Sequence, residues 1–328
     1  MTKTRILITG ATGFVGGHLL KALHAAGYDQ VWGLVHHRPA PKEIAGPSIR
    51  WVQGDLFDQG RIKSLLKTIK PDWIFHLAGQ AVVSVSWAQP RETFKLNTDA
   101  QISLFEAVRE AKINPRILVV CSSEEYGLVK ENELPVTEDN PLRPLSPYAV
   151  SKVAQDLLAF QYYKSHALQT IRIRAFNHTG PGRPPQYAIS SFAQQIAMIE
   201  RDETEPKVYV GNLHVQRDYM DVRDMASAYI RAIKSGVPGE VYNICSGKPR
   251  SLDEILKLLL SLSSTKIQVV VDPSRFRPSD SKVIFGSPAK FGLLTDWRPR
   301  IPLRTTLADL LDYWRRAGKL RQPKLVIK

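Results

Sequence analysis

The sequence predicts an α/β protein: a doubly wound parallel sheet carrying a smaller α/β lobe toward its C-terminus. Two observations carry this expectation. Apolar strand-like runs alternate with helix-like runs from the first residues onward, the pattern of a parallel sheet covered on both faces. After Phe176 the texture changes: Gly and Pro crowd positions 177–186, and shorter strands and helices follow.

In order, Arg5–Thr9 reads as a strand ending at Gly10. Phe14–Ala26 reads as a helix stopped by Gly27. Val31–Val35 and Ile49–Gln53 read as the second and third strands. Arg61–Ile69 is an amphipathic helix closed by Pro71, and Trp73–Leu77 a fourth strand. Arg91–Ala111 reads as one long helix, and Arg116–Cys121 as a fifth strand. A helix from about Ser146 to His166 and a strand over Thr170–Ala175 continue the alternation. In the second half, Ser190–Glu200 and Ser251–Leu260 read as helices, and Lys207–Val210 and Ile267–Val271 as strands. The implied division is residues 1–176 with about 218–247 as the sheet domain, and 177–217 with 248–328 as the lobe.

Composition bounds the function. Of 328 residues, 43% are apolar, enough for a large core. No run approaches the length of a membrane span, and no signal peptide is readable, so a cytoplasmic protein without integral membrane association is expected. Cys121 and Cys245 sit in apolar runs and read as reduced thiols rather than a disulfide or metal site. The excess of 45 basic over 31 acidic residues, a net +14, favours an anionic partner: nucleic acid, anionic lipid or a phosphorylated small molecule. No nucleic-acid module is readable, and the densest basic run, from Arg315 to Lys328, reads as a solvated tail.

The chemistry begins at Gly10-Ala11-Thr12-Gly13-Phe14-Val15-Gly16, between the first strand and the first helix. Glycines there let backbone approach a diphosphate, and the helix N-terminus offers it unpaired N–H groups. The turn makes the first domain Rossmann-type. Its Gly-x-x-Gly-x-x-Gly spacing resembles the extended short-chain dehydrogenases/reductases. That resemblance anticipates a Tyr-x-x-x-Lys signature, and Tyr148-Ala149-Val150-Ser151-Lys152 supplies it. Residues four apart share a helix face, so Lys152 is expected to lower the pKa of Tyr148 toward that of a general acid/base. By family position Ser122, at the end of the fifth strand, would hydrogen-bond the reacting oxygen.

The second strand ends Leu34-Val35-His36-His37-Arg38 with no acid to hold a ribose diol. His36 and Arg38 could receive a 2′-phosphate, so NADP(H) is the expected cofactor, with NAD(H) as the alternative. The resemblance places Asp55 and Leu56 at the adenine and Leu77, Ala78 and Gly79 along the cofactor's middle.

Over nearly the whole chain the resemblance is closest to the GDP-mannose 4,6-dehydratase group, and within it to reductases of GDP-6-deoxy-4-keto-mannose that make GDP-D-rhamnose. The segments that carry it are Ser146–Lys152, Phe176–Gly182, Val210–Leu213, Arg217–Asp224, Phe276–Asp280 and Asp296–Pro299. It implies a GDP-sugar held by Ser84, Ser86, Asn177, Arg217, Arg277 and Asp280, no metal, and a homodimer through the helix bearing Tyr148. Asp280 stands where the family usually has Glu. Glu124, two before Tyr126, occupies the place of the dehydratases' base and keeps a dehydratase open as the alternative, with a 4-epimerase behind it. Phe14-Val15-Gly16 replaces the dehydratases' Gln-Asp-Gly, and the loop after the second strand is short; both favour a reductase.

Overall fold

The structure is a computed structural model and describes residues 3–36, 49–276 and 281–317. The chain opens as β1 (Ile6–Thr9), α1 (Phe14–Ala25), β2 (Val31–Val35), β3 (Ile49–Gln53), α2 (Gln59–Ile69) and β4 (Trp73–His76). Then come α3 (Val83–Ala88), α4 (Pro90–Phe94), α5 (Ala100–Ala111), β5 (Arg116–Ser122), α6 (Pro147–His166) and β6 (Gln169–Ala175). It leaves the sheet through β7 (Asn177–Thr179), α7 (Ala188–Ile199), β8 (Lys207–Val210) and β9 (Gln216–Asp221), and returns through α8 (Val222–Ser235) and β10 (Val241–Ile244). The remainder is β11 (Pro249–Ser251), α9 (Leu252–Leu260), β12 (Gln268–Val271), β13 (Val283–Ile284), α10 (Ala289–Thr295) and α11 (Leu303–Ala317).

The expected doubly wound sheet forms. Its order is β10-β6-β5-β4-β1-β2-β3, and every pairing is parallel. Side chains alternate between its faces because a strand repeats every two residues. Ile6 and Ile8 of β1, Phe75 of β4 and Leu118 of β5 pack against α1 and α8. Leu7, Ile74, Ile117 and Val119 pack on the other face with α2, α5 and α6. A third core joins α7, β8, α9 and α11. No helix among the described residues is long and apolar enough to cross a membrane.

Helix starts follow the local sequence. Asp58 accepts from the Arg61 N–H at 2.9 Å and Ser146 from the Ala149 N–H at 3.1 Å, with Pro147 in the first turn of α6. Ser251 and Glu254 form a reciprocal capping box on α9.

One expectation fails here. Arg91–Ala111 is not a single helix: a π-helical turn, Lys95–Asp99, separates α4 from α5. The buried Asn97 side chain in that turn accepts from the Gln80 N–H at 2.7 Å. It donates to the Gln80 carbonyl at 3.1 Å and to Ser151 Oγ at 2.9 Å. Satisfying the loop after β4 overrides the regular helix. The basic C-terminal run is also not all solvated tail, since Arg315 ion-pairs with Glu200 at 2.7 Å.

The sheet order reverses between β1 and β4, which opens a crevice at their carboxyl ends. Gly10 has φ +70°, and a Cβ there would lie 2.7 Å from the Ala78 nitrogen. Gly10→Ala is therefore expected to lower unfolding free energy by about 1–3 kcal/mol, measured by urea denaturation; an unchanged midpoint would contradict the close approach.

Candidate active site

The crevice is built from three strand ends. At β1, a Cβ on Gly16 would stand 2.4 Å from the Gly10 carbonyl, and the Gly13 N–H bonds that carbonyl at 3.0 Å. Helix α1 has Gly13 at its N-cap, with no side-chain cap and no acid in its first turn, so its N–H groups keep their attraction for an anion. At β4, Thr9 Oγ1 bonds His76 Nδ1 at 2.9 Å and accepts from the Ala78 N–H at 3.2 Å, tying the two sides together. Burial, with Lys152 next, pulls the His76 pKa down to about 3, so this ring is neutral at ordinary pH.

At β5, the chain turns at Ser122. Its N–H donates to Glu125 Oε1 at 2.7 Å, and its hydroxyl accepts from the Glu124 N–H at 3.2 Å. Glu125 is fully buried, with its pKa well above the carboxylate range because of burial and the Asp156 carboxylate. Arg174 lies between them, 2.9 Å from Asp156 and 3.4 Å from Glu125. Tyr148 reaches this corner from α6 and lines the same cavity as Ser122.

Lys152 corrects one expectation. The Tyr148 pKa is not lowered overall: burial raises that phenol above its ordinary value, only partly offset by Ser122. The Lys152 ammonium instead donates to the Val120 carbonyl at 2.9 Å and to Gln155 Oε1 at 2.7 Å, and lies 5.9 Å from the Tyr148 ring centre. Burial lowers its own pKa.

Two cavities meet at this corner. One, of about 320 Å³, runs along Gly10, Gly13, Phe14, Val15, Gly16, Leu77 and Gly79 to Ser122, Glu124, Tyr148 and Lys152. The other, of about 580 Å³, lies against the C-terminal lobe and is lined by Ser84, Trp87, Glu124, Asn177 and Arg217. Glu124, Asn177, His178, Arg183, Gln186 and Tyr187 line both.

Residues 7–310 match the family profile described as GDP-mannose 4,6 dehydratase. The chain belongs to this family. It is 33% identical to the GDP-6-deoxy-D-mannose reductase of Pseudomonas aeruginosa, over 94% of this chain and 97% of that one. Identity to the GDP-mannose 4,6-dehydratase of Yersinia enterocolitica is 28%, over 98% and 95%. The solved structure of RMD from Pseudomonas aeruginosa complexed with NADPH superposes with a TM-score of 0.84 at 31% identity, covering 96% of this chain and 99% of that one. This member of the GDP-mannose 4,6 dehydratase family is thus an NAD(P)-dependent oxidoreductase of the extended short-chain type, acting on a nucleotide sugar.

The residues present fit a nicotinamide dinucleotide, since the glycine turn leaves backbone where side chains would block a diphosphate. Most of the expected site residues converge on the two cavities. Thr12 sits in the glycine turn and Ala78 beside it, outside the cavity lining. His36 and Asp55 stand at the ends of β2 and β3, paired at 3.0 Å. Two placements are corrections. Ser86 is fully buried and donates to the Val83 carbonyl at 2.7 Å, closing a turn of α3 rather than lining the sugar cavity. The Leu56 side chain is buried in the core rather than on the cavity. Arg38, Arg277 and Asp280 lie outside the described residues.

Sequence reasoning missed Arg183, Tyr187 and Tyr229, all on the cofactor cavity. The Gly/Pro density of 177–186 identified a loop but not which side chains it turns inward.

Because His76 has a folded pKa near 3 against 6.5 unfolded, between those values the unfolded chain binds a proton the folded one refuses. Stability then falls as pH drops below 6.5, by up to about 1.4 kcal/mol per pH unit. His76→Asn is expected to flatten the slope of unfolding free energy between pH 6.5 and 5; an unaltered slope would contradict the assignment.

Proposed function

We propose that the protein reduces the C4 ketone of GDP-4-keto-6-deoxy-D-mannose to GDP-D-rhamnose using NADPH. The observation that carries this reading is the placement of Ser122, Tyr148 and Lys152 where the glycine-lined cavity meets the larger cavity bearing Asn177 and Arg217. When bound there, the nicotinamide cofactor supplies hydride to a carbonyl carbon. The chain's own residues do the rest. Tyr148, held protonated by burial, is in the state needed to donate a proton to the carbonyl oxygen. Ser122 orients that oxygen, and Lys152 takes the cofactor's ribose.

Arg217 is anchored by bonds to the Gln216 and Ser281 carbonyls at 2.9 and 2.7 Å, placing a guanidinium for the sugar diphosphate in the cavity that Asn177 lines. The NADPH preference rests on Arg38 and on His36 standing where an acid would serve NAD. The lobe of 177–217 and 248–328 takes the nucleotide sugar, and 1–176 with about 218–247 the cofactor. Exposed Val150, Leu157 and Phe160 on α6 supply an apolar stripe for a homodimer.

A second reading, GDP-mannose 4,6-dehydratase, is favoured by Glu124, which lines both cavities as a C5 base must. Phe14 in place of the dehydratases' Gln weighs against it. Tyr148→Phe is expected to lower kcat at least about 100-fold while GDP binding, followed by calorimetry, stays unchanged. A fully active variant would overturn the assignment.

A further inference from the structure

Arg183 lies on the wall shared by the two cavities. Its guanidinium carbon is 3.4 Å from the Tyr187 ring centre and 5.0 Å from that of Phe14. Among the described residues no carboxylate pairs with it and no hydrogen-bond acceptor meets its side chain. Burial pushes its pKa down. A half-buried cation without a counter-charge is costly, and it stays in place only if something else fixes it or an anion arrives.

Its position is fixed from several sides. The Arg183 carbonyl accepts from Ser190 Oγ at 2.5 Å, and Ser190 in turn accepts from the Trp314 indole at 3.0 Å. Tyr187 donates to the Ala81 carbonyl at 3.1 Å, so the stack spans from the lobe to the loop after β4. A guanidinium stacked on an aromatic ring keeps its N–H groups free in its own plane, the geometry that suits phosphate oxygens.

We infer that Arg183 clamps the diphosphate of the nicotinamide cofactor from the lobe side, opposite the glycine turn. This rests on the nicotinamide reading of the smaller cavity. Phe14 belongs to the turn that cradles the diphosphate, so the ring that seats Arg183 sits beside the anion's own binding backbone. The larger cavity already has Arg217 for the sugar diphosphate. Phe14, where the dehydratases have Gln, thus acquires a role: it is the platform for this arginine. Arg183 is then a cofactor-affinity residue, which joins the lobe to the sheet domain through the bound anion.

The test is equilibrium binding by the full chain, read by nicotinamide fluorescence for NADPH and by calorimetry for GDP and adenosine 2′,5′-bisphosphate, which lacks the nicotinamide-side phosphate of the cofactor's diphosphate. Arg183→Gln is expected to raise the Kd for NADPH about tenfold or more, with GDP and the bisphosphate unchanged. Arg183→Lys should fall between, keeping charge but losing planarity. Phe14→Leu, which keeps apolar bulk but removes the platform, should weaken NADPH by a smaller factor and serves if Arg183→Gln does not fold. Unchanged NADPH affinity in Arg183→Gln, or a loss falling on GDP or the bisphosphate instead, overturns the inference while leaving the nicotinamide reading intact. A wild-type chain that binds neither NADPH nor NADH overturns that reading and the inference together.

Discussion

At the carboxyl ends of β1 and β4 two stretches of backbone pass so close that no side chain fits between them. A Cβ on Gly10 would meet both the Leu77 carbonyl carbon and the Ala78 nitrogen at 2.7 Å. Thr9 reinforces the contact by bonding His76 and the Ala78 N–H at once. This approach sits where the sheet order reverses, the place where an open α/β sheet leaves a crevice. Gly16 then lets α1 start hard against the turn, which brings a helix N-terminus to the same spot. The glycine pattern, the crevice and the affinity for a diphosphate are one constraint seen at three scales.

The reactive corner beside it depends on buried charge. Ser122 is held at the end of β5 by Glu125, which packs with Asp156, Arg172 and Arg174 beneath the sheet's edge. Arg174 also meets the Tyr126 hydroxyl at 3.1 Å, and Tyr126 donates to Asn243 at 2.7 Å on β10. A chain of charge-assisted bonds thus ties β5, β6, α6 and β10 together behind Ser122 and Tyr148. Breaking such a network in part is worse than never building it. On the other side of the same corner, Tyr148 and Ser122 line the cavity.

Much of this was legible in the sequence. Strands β1 to β6 fall within a residue or two of their expected bounds, because buried parallel strands read as apolar runs bounded by Gly and Pro. The glycine turn and Tyr148-x-x-x-Lys152 were legible because local spacing alone places them. The break at Lys95–Asp99 was not, since it answers to Gln80 and Ser151 at a distance in the chain. Ser86 was misplaced for a like reason: a serine on a short helix has its own carbonyl to satisfy. The behaviour of Lys152 and Tyr148 was hidden because burial, not their spacing, dominates their pKa values. Arg183 was invisible because stacking on Phe14 and Tyr187 links residues from two parts of the chain.

The central proposal is a direction of chemistry: that this family member, with a buried Tyr148 beside a nicotinamide site, reduces a keto-sugar. The direct measurement is nicotinamide absorbance with purified protein and NADPH, in parallel incubations with GDP-4-keto-6-deoxy-D-mannose and with GDP-mannose. NADPH consumption with the keto-sugar alone is the expected result. Conversion of GDP-mannose to the keto-sugar without net NADPH consumption would contradict it and give Glu124 the role of the base.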